Sequence, residues 1–454
     1  MLSLRHLPDR RLWRTVSWRS SLGKEKLSVV RMALSLPCRR ILEAKYKLGL
    51  FQDPYKYCDK SRRSRDIYTP ENREAARNLA AESFVLLKNE NNLLPLKKQS
   101  KIALIGPLAD TKYIIGTWSV AATYDKYKTL REVMQQTLNG KGELLYSQGC
   151  NISRDSVLQK DGSLFKTIRW GDENRMRQEA LKVAKQADVI VCAMGEEAEM
   201  SGECSSRSNL DLFDVQRELL EELLKTGKPV VLLNFSGRAT VLTWESLHVP
   251  AIMNVWFGGS EGAEAICDVL FGDKIPSGKL TVSMPQNTGQ EPLYYNHLPT
   301  GRPVPEGAKS FGKFTSNYLD VRNDPLYPFG FGLSYTTFKY ADFRLSSTTM
   351  DKKDSLTATI NVTNTGNYDA DEIVQFYIHD VVASISRPVK ELKGFQRIHL
   401  RKGESKDVSF SITPELLKFY DSNLNNVLES GEFEVMAGPN SSDKDLQKLS
   451  FTVR

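Results

Sequence analysis

Between residues 101 and 271 the chain alternates short, almost wholly apolar runs with longer amphipathic ones, and this alternation restricts the fold more than any other feature. Residues 101–106 (KIALIG), 188–195 (DVIVCAMG), 229–234 (PVVLLN) and 251–256 (AIMNVW) offer a strand no consistently polar face, and 144–146 is a shorter candidate. Residues 178–186, 215–224 and 262–271 have helical periodicity, the second stopping at Gly227. Strands without a polar face must be covered on both sides, which predicts a parallel sheet between helical layers. Residues 71–88 read as a further helix, started by Thr69-Pro70, with Ala75, Leu79, Ser83 and Leu86 near one stripe. Upstream, 38–51 (CRRILEAKYKLGLF) reads as an amphipathic helix with Ile41, Leu42 and Tyr46 on one face and Gly49 where a C-cap belongs.

The periodicity then changes. Residues 285–340 are rich in Pro, Gly and aromatics and read as a long connector laid over a surface. Beyond it, Ala358, Ile360 and Val362 alternate with polar residues, as do Val374, Phe376 and Ile378. Val408, Phe410 and Ile412 repeat the pattern, and so do Phe433, Val435 and Ala437, with Asn364-Thr365-Gly366 and Gly403 as punctuation. A period of two over several short runs predicts an antiparallel β-sandwich of immunoglobulin-like size. The expected class is therefore α/β plus all-β. Its expected parts are a leader (1–37), a helix and linker (38–70), a parallel α/β sandwich (71–285), a connector (286–340) and a β-sandwich (341–454).

Charge excludes some functions. The net charge of +7 comes from the first 65 residues, which hold 17 Lys and Arg against 5 Asp and Glu; the remaining 389 hold 45 against 50. The body is mildly acidic and makes no electrostatic case for nucleic acid. No apolar run approaches the roughly 18 residues needed to span a bilayer. The basic leader, with Arg5, Arg10, Arg11, Arg14, Arg19 and Arg31 among Trp13, Trp18 and serines, lacks the apolar core of a secretory signal. It is expected to be sequence foreign to the fold. The six cysteines show no CxxC or Cys/His ligand spacing, so no metal is expected, and Cys192 and Cys267 read as small buried hydrophobes. No GxGxxG follows KIALIG and no Walker loop occurs, so no nucleotide cofactor is expected. Gly258-Gly259-Ser260-Glu261-Gly262 opens a helix, but Glu261 would repel an anion there.

Six collinear blocks carry a family resemblance: NLAAESFVLLKNENNLLPL (78–96), KIALIGPLAD (101–110), GKPVVLLNFSGR (227–238), FGGSEGAEAICDVLFGDKIPSGKLTVSMP (257–285), YPFGFGLSYTTF (327–338) and RPVKELKGFQRIHLRKGES (387–405). Together they resemble family 3 glycoside hydrolases of the periplasmic β-glucosidase type, over roughly residues 38–454. The resemblance implies a (β/α)8 barrel, a six-stranded α/β sandwich and a fibronectin-III-like domain in that order, with 38–51 resembling the end of the barrel. It implies retaining hydrolysis of β-linked glucosides or oligosaccharides, no cofactor, and a periplasmic or secreted setting. Partner expectations are the β-linked sugar and a barrel on a separate domain or chain, with no nucleic acid and no membrane.

Retaining glycosidases use two carboxyl groups about 5–5.5 Å apart, one nucleophile and one acid/base. By resemblance the nucleophile is an aspartate on a barrel strand, and no residue of this chain is assigned to it. Ser442-Asp443, near the C-terminus, is no substitute. The isolated chain is therefore expected to be inactive. The acid/base is implied on the loop 196–212 (EEAEMSGECSSRSNLDL), where Ser201-Gly202-Glu203 and Arg207 resemble the family's SGE…R pattern and assign Glu203. Cys204-Ser205-Ser206 depart from the more usual Gly-x-Asp, so Glu196, Glu197 and Glu199 stay as competitors, as does a merely solvated acidic loop. Arg207 is expected to order the loop or contact sugar. Trp118, in Gly116-Thr117-Trp118, resembles a sugar-stacking platform; the alternative is an indole packed inside the domain. A non-catalytic carbohydrate-binding or scaffolding protein is the rival function.

Overall fold

The computed structural model describes residues 24–119, 124–155, 168–304 and 312–454. The chain divides into two compact units, Met1–Pro70 and Glu71–Arg454. Of the expected leader, residues 1–23 lie outside the described residues. In the first unit the helix α1 (Lys24–Lys47) starts upstream of the expected 38 and runs through Pro37. Proline lacks an N–H, so the helix loses one ladder hydrogen bond there. Gly49 follows its end at φ +71, donating to the carbonyl of Tyr46, and Ile41, Leu42 and Tyr46 are exposed.

The second unit opens with α2 (Pro70–Ser83) and then turns into a strand, β1 (Val85–Asn89). This corrects the expected helix over 71–88. Phe84-Val85-Leu86-Leu87 is an apolar run that suits a covered strand, and β1 pairs antiparallel with β6. The helix face is corrected as well. Ala80 and Ala81 are buried, whereas Ala75, Leu79 and Ser83 point outward, Leu79 being 67% exposed. The buried side of α2 meets the body through arginines: Arg73 pairs with Glu261 (2.9 Å) and Arg77 with Asp268. Apolar periodicity could not find a face built from salt bridges.

The central sheet comprises β1, β2 (Lys101–Ile105), β3 (Glu143–Ser147), β4 (Val189–Gly195), β5 (Val230–Phe235) and β6 (Ala251–Asn254), in the order β1-β6-β5-β4-β2-β3. All neighbours except β1 and β6 run parallel. The helices α3 (Leu130–Leu138), α4 (Glu173–Lys185), α5 (Asp214–Leu224) and α6 (Gly262–Leu270) alternate with the strands. Every residue of β4, β5 and β6 is buried, as strands apolar on both faces require. Two cores result. One gathers Leu104, Val191, Leu233 and Met253 with α3 and α6, the other Ile105, Ile190, Leu232 and Ile252 with α4 and α5. The helix α3 was not foreseen, although Thr129 and Glu132 form a capping box at its start, a spacing legible in the sequence.

The C-terminal strands β7 (Phe338–Leu345), β8 (Thr349–Met350), β9 (Leu356–Asn364), β10 (Ala370–Asp380), β11 (Glu391–Leu400), β12 (Ser405–Ile412), β13 (Gly431–Gly438) and β14 (Gln447–Val453) form two antiparallel layers, β12-β9-β7 and β11-β10-β13-β14-β8, the last strand joining in parallel. Here β9 (Leu356–Asn364) is buried at every second residue, with Ala358, Ile360 and Val362 inside. The strand β10 (Ala370–Asp380) breaks alternation and is buried on both faces from Val374 to Ile378. Its outer face is roofed by the connector: Tyr295 stacks on Phe329 (4.3 Å between centroids) and meets Tyr377 edge-on at 5.9 Å. Gln375 Nε2 donates to the carbonyls of Gly330 (3.1 Å) and Pro439 (2.6 Å). The connector also bridges to β1, where Leu333 donates to Leu86.

Candidate active site

In the central sheet β2 and β3 step one way and β4, β5 and β6 the other, so the strand order reverses between β2 and β4. Open parallel sheets place ligands in the crevice outside the carboxyl ends at such a reversal. Two loops leave this point: 106–119 after β2 and 196–212 after β4. Gly106 (φ +135) and Gly195 (φ +126) start them, and a Cβ at either would collide with the carbonyl of Ala193 or Phe235 on the neighbouring strand. Only glycine lets the chain leave the sheet this closely.

Both sequence candidates, Trp118 and Glu203, lie on these loops. Trp118 is 69% exposed and so is not packed inside the domain. Its neighbour Thr117 donates to the carbonyls of Ala198 and Ser201, tying the first loop to the second. A Cβ added at Gly202 would lie 3.3 Å from Trp118 Nε1, one residue from Glu203. Trp118 lines a cleft of about 400 Å³ with Gly202, Ser236, Gly237, Trp256 and Phe257. On the other side, Cys204, Glu199, Arg207 and Phe213 line a second cleft of about 560 Å³. Glu203, between Gly202 and Cys204 in the chain, lines neither cleft.

The four loop glutamates separate by environment. Glu196 is 1% exposed and held by two guanidiniums, Arg207 at 2.9 Å and Arg238 at 3.1 Å. Glu197 is buried, and Glu199 accepts a hydrogen bond from the Tyr113 hydroxyl. Glu203 alone among the four is exposed. Arg207 does not turn toward it. Its guanidinium serves Glu196, the carbonyl of Asp211 at 2.9 Å and the ring of Phe213 at 4.3 Å. Glu261, at the glycine-rich helix start, is occupied by Arg73. Cys192 and Cys267 are buried, and burial pushes both thiols up. Among the described residues no three His, Cys, Asp or Glu side chains group as a metal site, and no helix is long and apolar enough to cross a membrane.

Sequence reasoning missed Arg238, Tyr113, Trp256 and Phe257. The signal for Arg238 was its place in GKPVVLLNFSGR, just past the carboxyl end of β5. Nothing in the local sequence says that its partners lie on another loop.

Comparison with known proteins decides the family. Residues 84–335 match the glycosyl hydrolase family 3 C-terminal domain, and residues 372–441 a fibronectin type III-like domain. The chain belongs to glycosyl hydrolase family 3. A periplasmic beta-glucosidase of Salmonella typhimurium is 44% identical over 428 residues, covering 92% of this chain and 56% of its own length. A beta-xylosidase of Formosa agariphila is 37% identical, covering 91% and 54%. Among solved structures, the family 3 chain is similar to a beta-glucosidase from Listeria innocua in complex with laminaribiose, with a TM-score of 0.81 and 36% identity over 91% of this chain and 54% of that one. The family 3 chain thus spans about half the length of the curated relatives it matches. The expected order of α/β sandwich and fibronectin-III-like domain stands.

Proposed function

We propose that this chain is the acid/base-bearing part of a retaining glycoside hydrolase acting on β-glucosides or related β-linked oligosaccharides. The observation that carries this reading is an exposed Trp118 against Gly202, the chain neighbour of an exposed Glu203, on the loops at the strand-order reversal. Glu203 donates a proton to the leaving oxygen and later takes one from water, while the indole of Trp118 stacks on the sugar beyond the scissile bond. Arg207 acts through the loop, since its donors are committed to it. The nucleophile belongs to a (β/α)8 barrel on another domain or chain, and the name of the Salmonella typhimurium relative supports a periplasmic or secreted setting.

Two outcomes follow for an aryl β-glucoside assay. The 454-residue chain alone gives no turnover above background; rates comparable to a full-length relative overturn the division of labour. Combined with a family 3 barrel, the chain gains activity, and Glu203→Gln lowers kcat about 10²–10⁴-fold on poor leaving groups. A second reading, a carbohydrate-binding protein without catalysis, is favoured by the exposed indole over its open cleft. Calorimetric titration with cello-oligosaccharides separates the two: binding by the chain, with no turnover in any barrel combination, supports the second.

A further inference from the structure

We propose that Arg238 is the positioning residue of the Glu203 loop, an inference that rests on the acid/base reading above. Arg238 lies past the end of β5, not on the loop it holds. Its Nη2 donates to the carbonyl of Met200 and, at 2.6 Å, to that of Ser205. These two carbonyls bracket residues 201–204. One planar guanidinium thus pins both feet of the turn that carries Glu203, and its fork geometry suits two acceptors where an ammonium would offer a point charge. The remaining Nε donates to Glu196 at 3.2 Å. Glu196 is the hub: fully buried at the end of β4, it also takes Arg207 from the far side of the same loop. The two arginines therefore share one rigid anchor in the sheet and reach up to opposite parts of the loop.

A second observation places the turn 236–238 directly under the loop. A Cβ at Gly237 would collide with the side chain of Ser201 and come within 3.2 Å of Phe257. The absence of a side chain at 237 lets the Arg238 turn approach closely enough for its hydrogen bonds. The loop is held in a conformation that needs holding, since Cys204, next to Glu203, sits at φ +61, outside the range most residues prefer. Arg238 touches no reacting atom. It acts by fixing where the Glu203 carboxyl stands relative to a glycosidic oxygen, and proton transfer requires hydrogen-bond reach.

The test uses the full chain with Cys38→Ser and Cys58→Ser, which leaves Cys204 the exposed thiol among the described residues. A trifluoromethyl probe on Cys204 is expected to give one narrow ¹⁹F line. Arg238→Lys, which keeps the charge but not the fork, should broaden or split that line, and Gly237→Ala should do so by pushing Ser201. In combination with a family 3 barrel, Arg238→Lys should lower kcat at least tenfold on aryl glucosides with poor leaving groups. It should change KM less than twofold and leave dinitrophenyl glucoside turnover nearly intact. An unchanged ¹⁹F line in Arg238→Lys overturns the proposal, and so does a broadened line without the leaving-group dependence. Glu203→Gln lacking that dependence sinks the acid/base reading instead, while the ¹⁹F result stands.

Discussion

Glu264 on α6 is 8% exposed, and its Oε2 accepts no hydrogen bond among the described residues. The Lys128 ammonium stands 3.9 Å from its other oxygen, too far for a hydrogen bond. Burial raises the Glu264 pKa, and neighbouring Glu261 adds to this, against a backbone hydrogen bond, Lys128 and Arg73. A carboxyl whose folded pKa lies above its unfolded value favours the fold when protonated. Its contribution is complete below the unfolded pKa and is lost as pH rises through the folded one. Glu264→Gln keeps the shape and removes the charge. Its stability relative to the unaltered chain should therefore rise between pH 4 and pH 8. Urea midpoints at the two pH values measure this, and a difference that does not change with pH refutes it. Glu196 is the contrasting buried carboxylate, compensated by two arginines. The sequence shows Glu196 in an acidic loop and Glu264 among apolar residues, yet both are buried, and the partner separates them.

Between elements, polar ties set the geometry that the apolar layers leave loose. Gln216 on α5 is fully buried and accepts from the Gly195 amide at 2.7 Å while donating to the carbonyls of Gly195 and Ile152, each at 2.9 Å. It holds the last residue of β4, from which the acid/base loop departs. Gln216→Leu fits the volume but strands three backbone groups, so a loss of about 2–4 kcal/mol is expected in urea unfolding. A loss below about 1 kcal/mol would mean that those groups find other partners. The helix α2 makes the same point in reverse. Its apolar stripe at Ala75 and Leu79 faces outward, while Arg73 and Arg77 pair with buried carboxylates at the entry turn and on α6. Strands such as β4 and β9 were legible because burial alone decides them.

Across the whole second unit, the α/β sandwich and the fibronectin-III-like domain are joined by buried charge. Lys279, in the segment after α6, pairs with Glu372 of β10 at 2.9 Å, both nearly excluded from solvent. The Tyr340 hydroxyl donates to the same carboxylate at 2.9 Å. On the exposed side Arg397 joins Asp371 and reaches Glu82 of α2. Glu372→Ala leaves the Lys279 ammonium buried without its counter-charge, which costs about 3–5 kcal/mol. It should also separate the domains' unfolding into two steps in a urea titration, with tryptophan fluorescence following the α/β part, which alone of the two holds tryptophans, and far-ultraviolet circular dichroism following both. A single transition at an unchanged midpoint refutes the coupling.

From the sequence alone came the two layers of architecture, most strands and helices, the family resemblance, and the loop on which the acid/base was sought. All of these depend on periodicity or on residues adjacent in the chain. Tertiary structure decided that 85–89 is a strand, that α2 turns its leucine outward, and that Arg207 and Arg238 meet on Glu196. It also brought Trp118 beside Gly202 and set the four glutamates apart by burial. Each of these rests on partners distant along the chain, and a charge's value to the fold is set by what it faces, which no local pattern records.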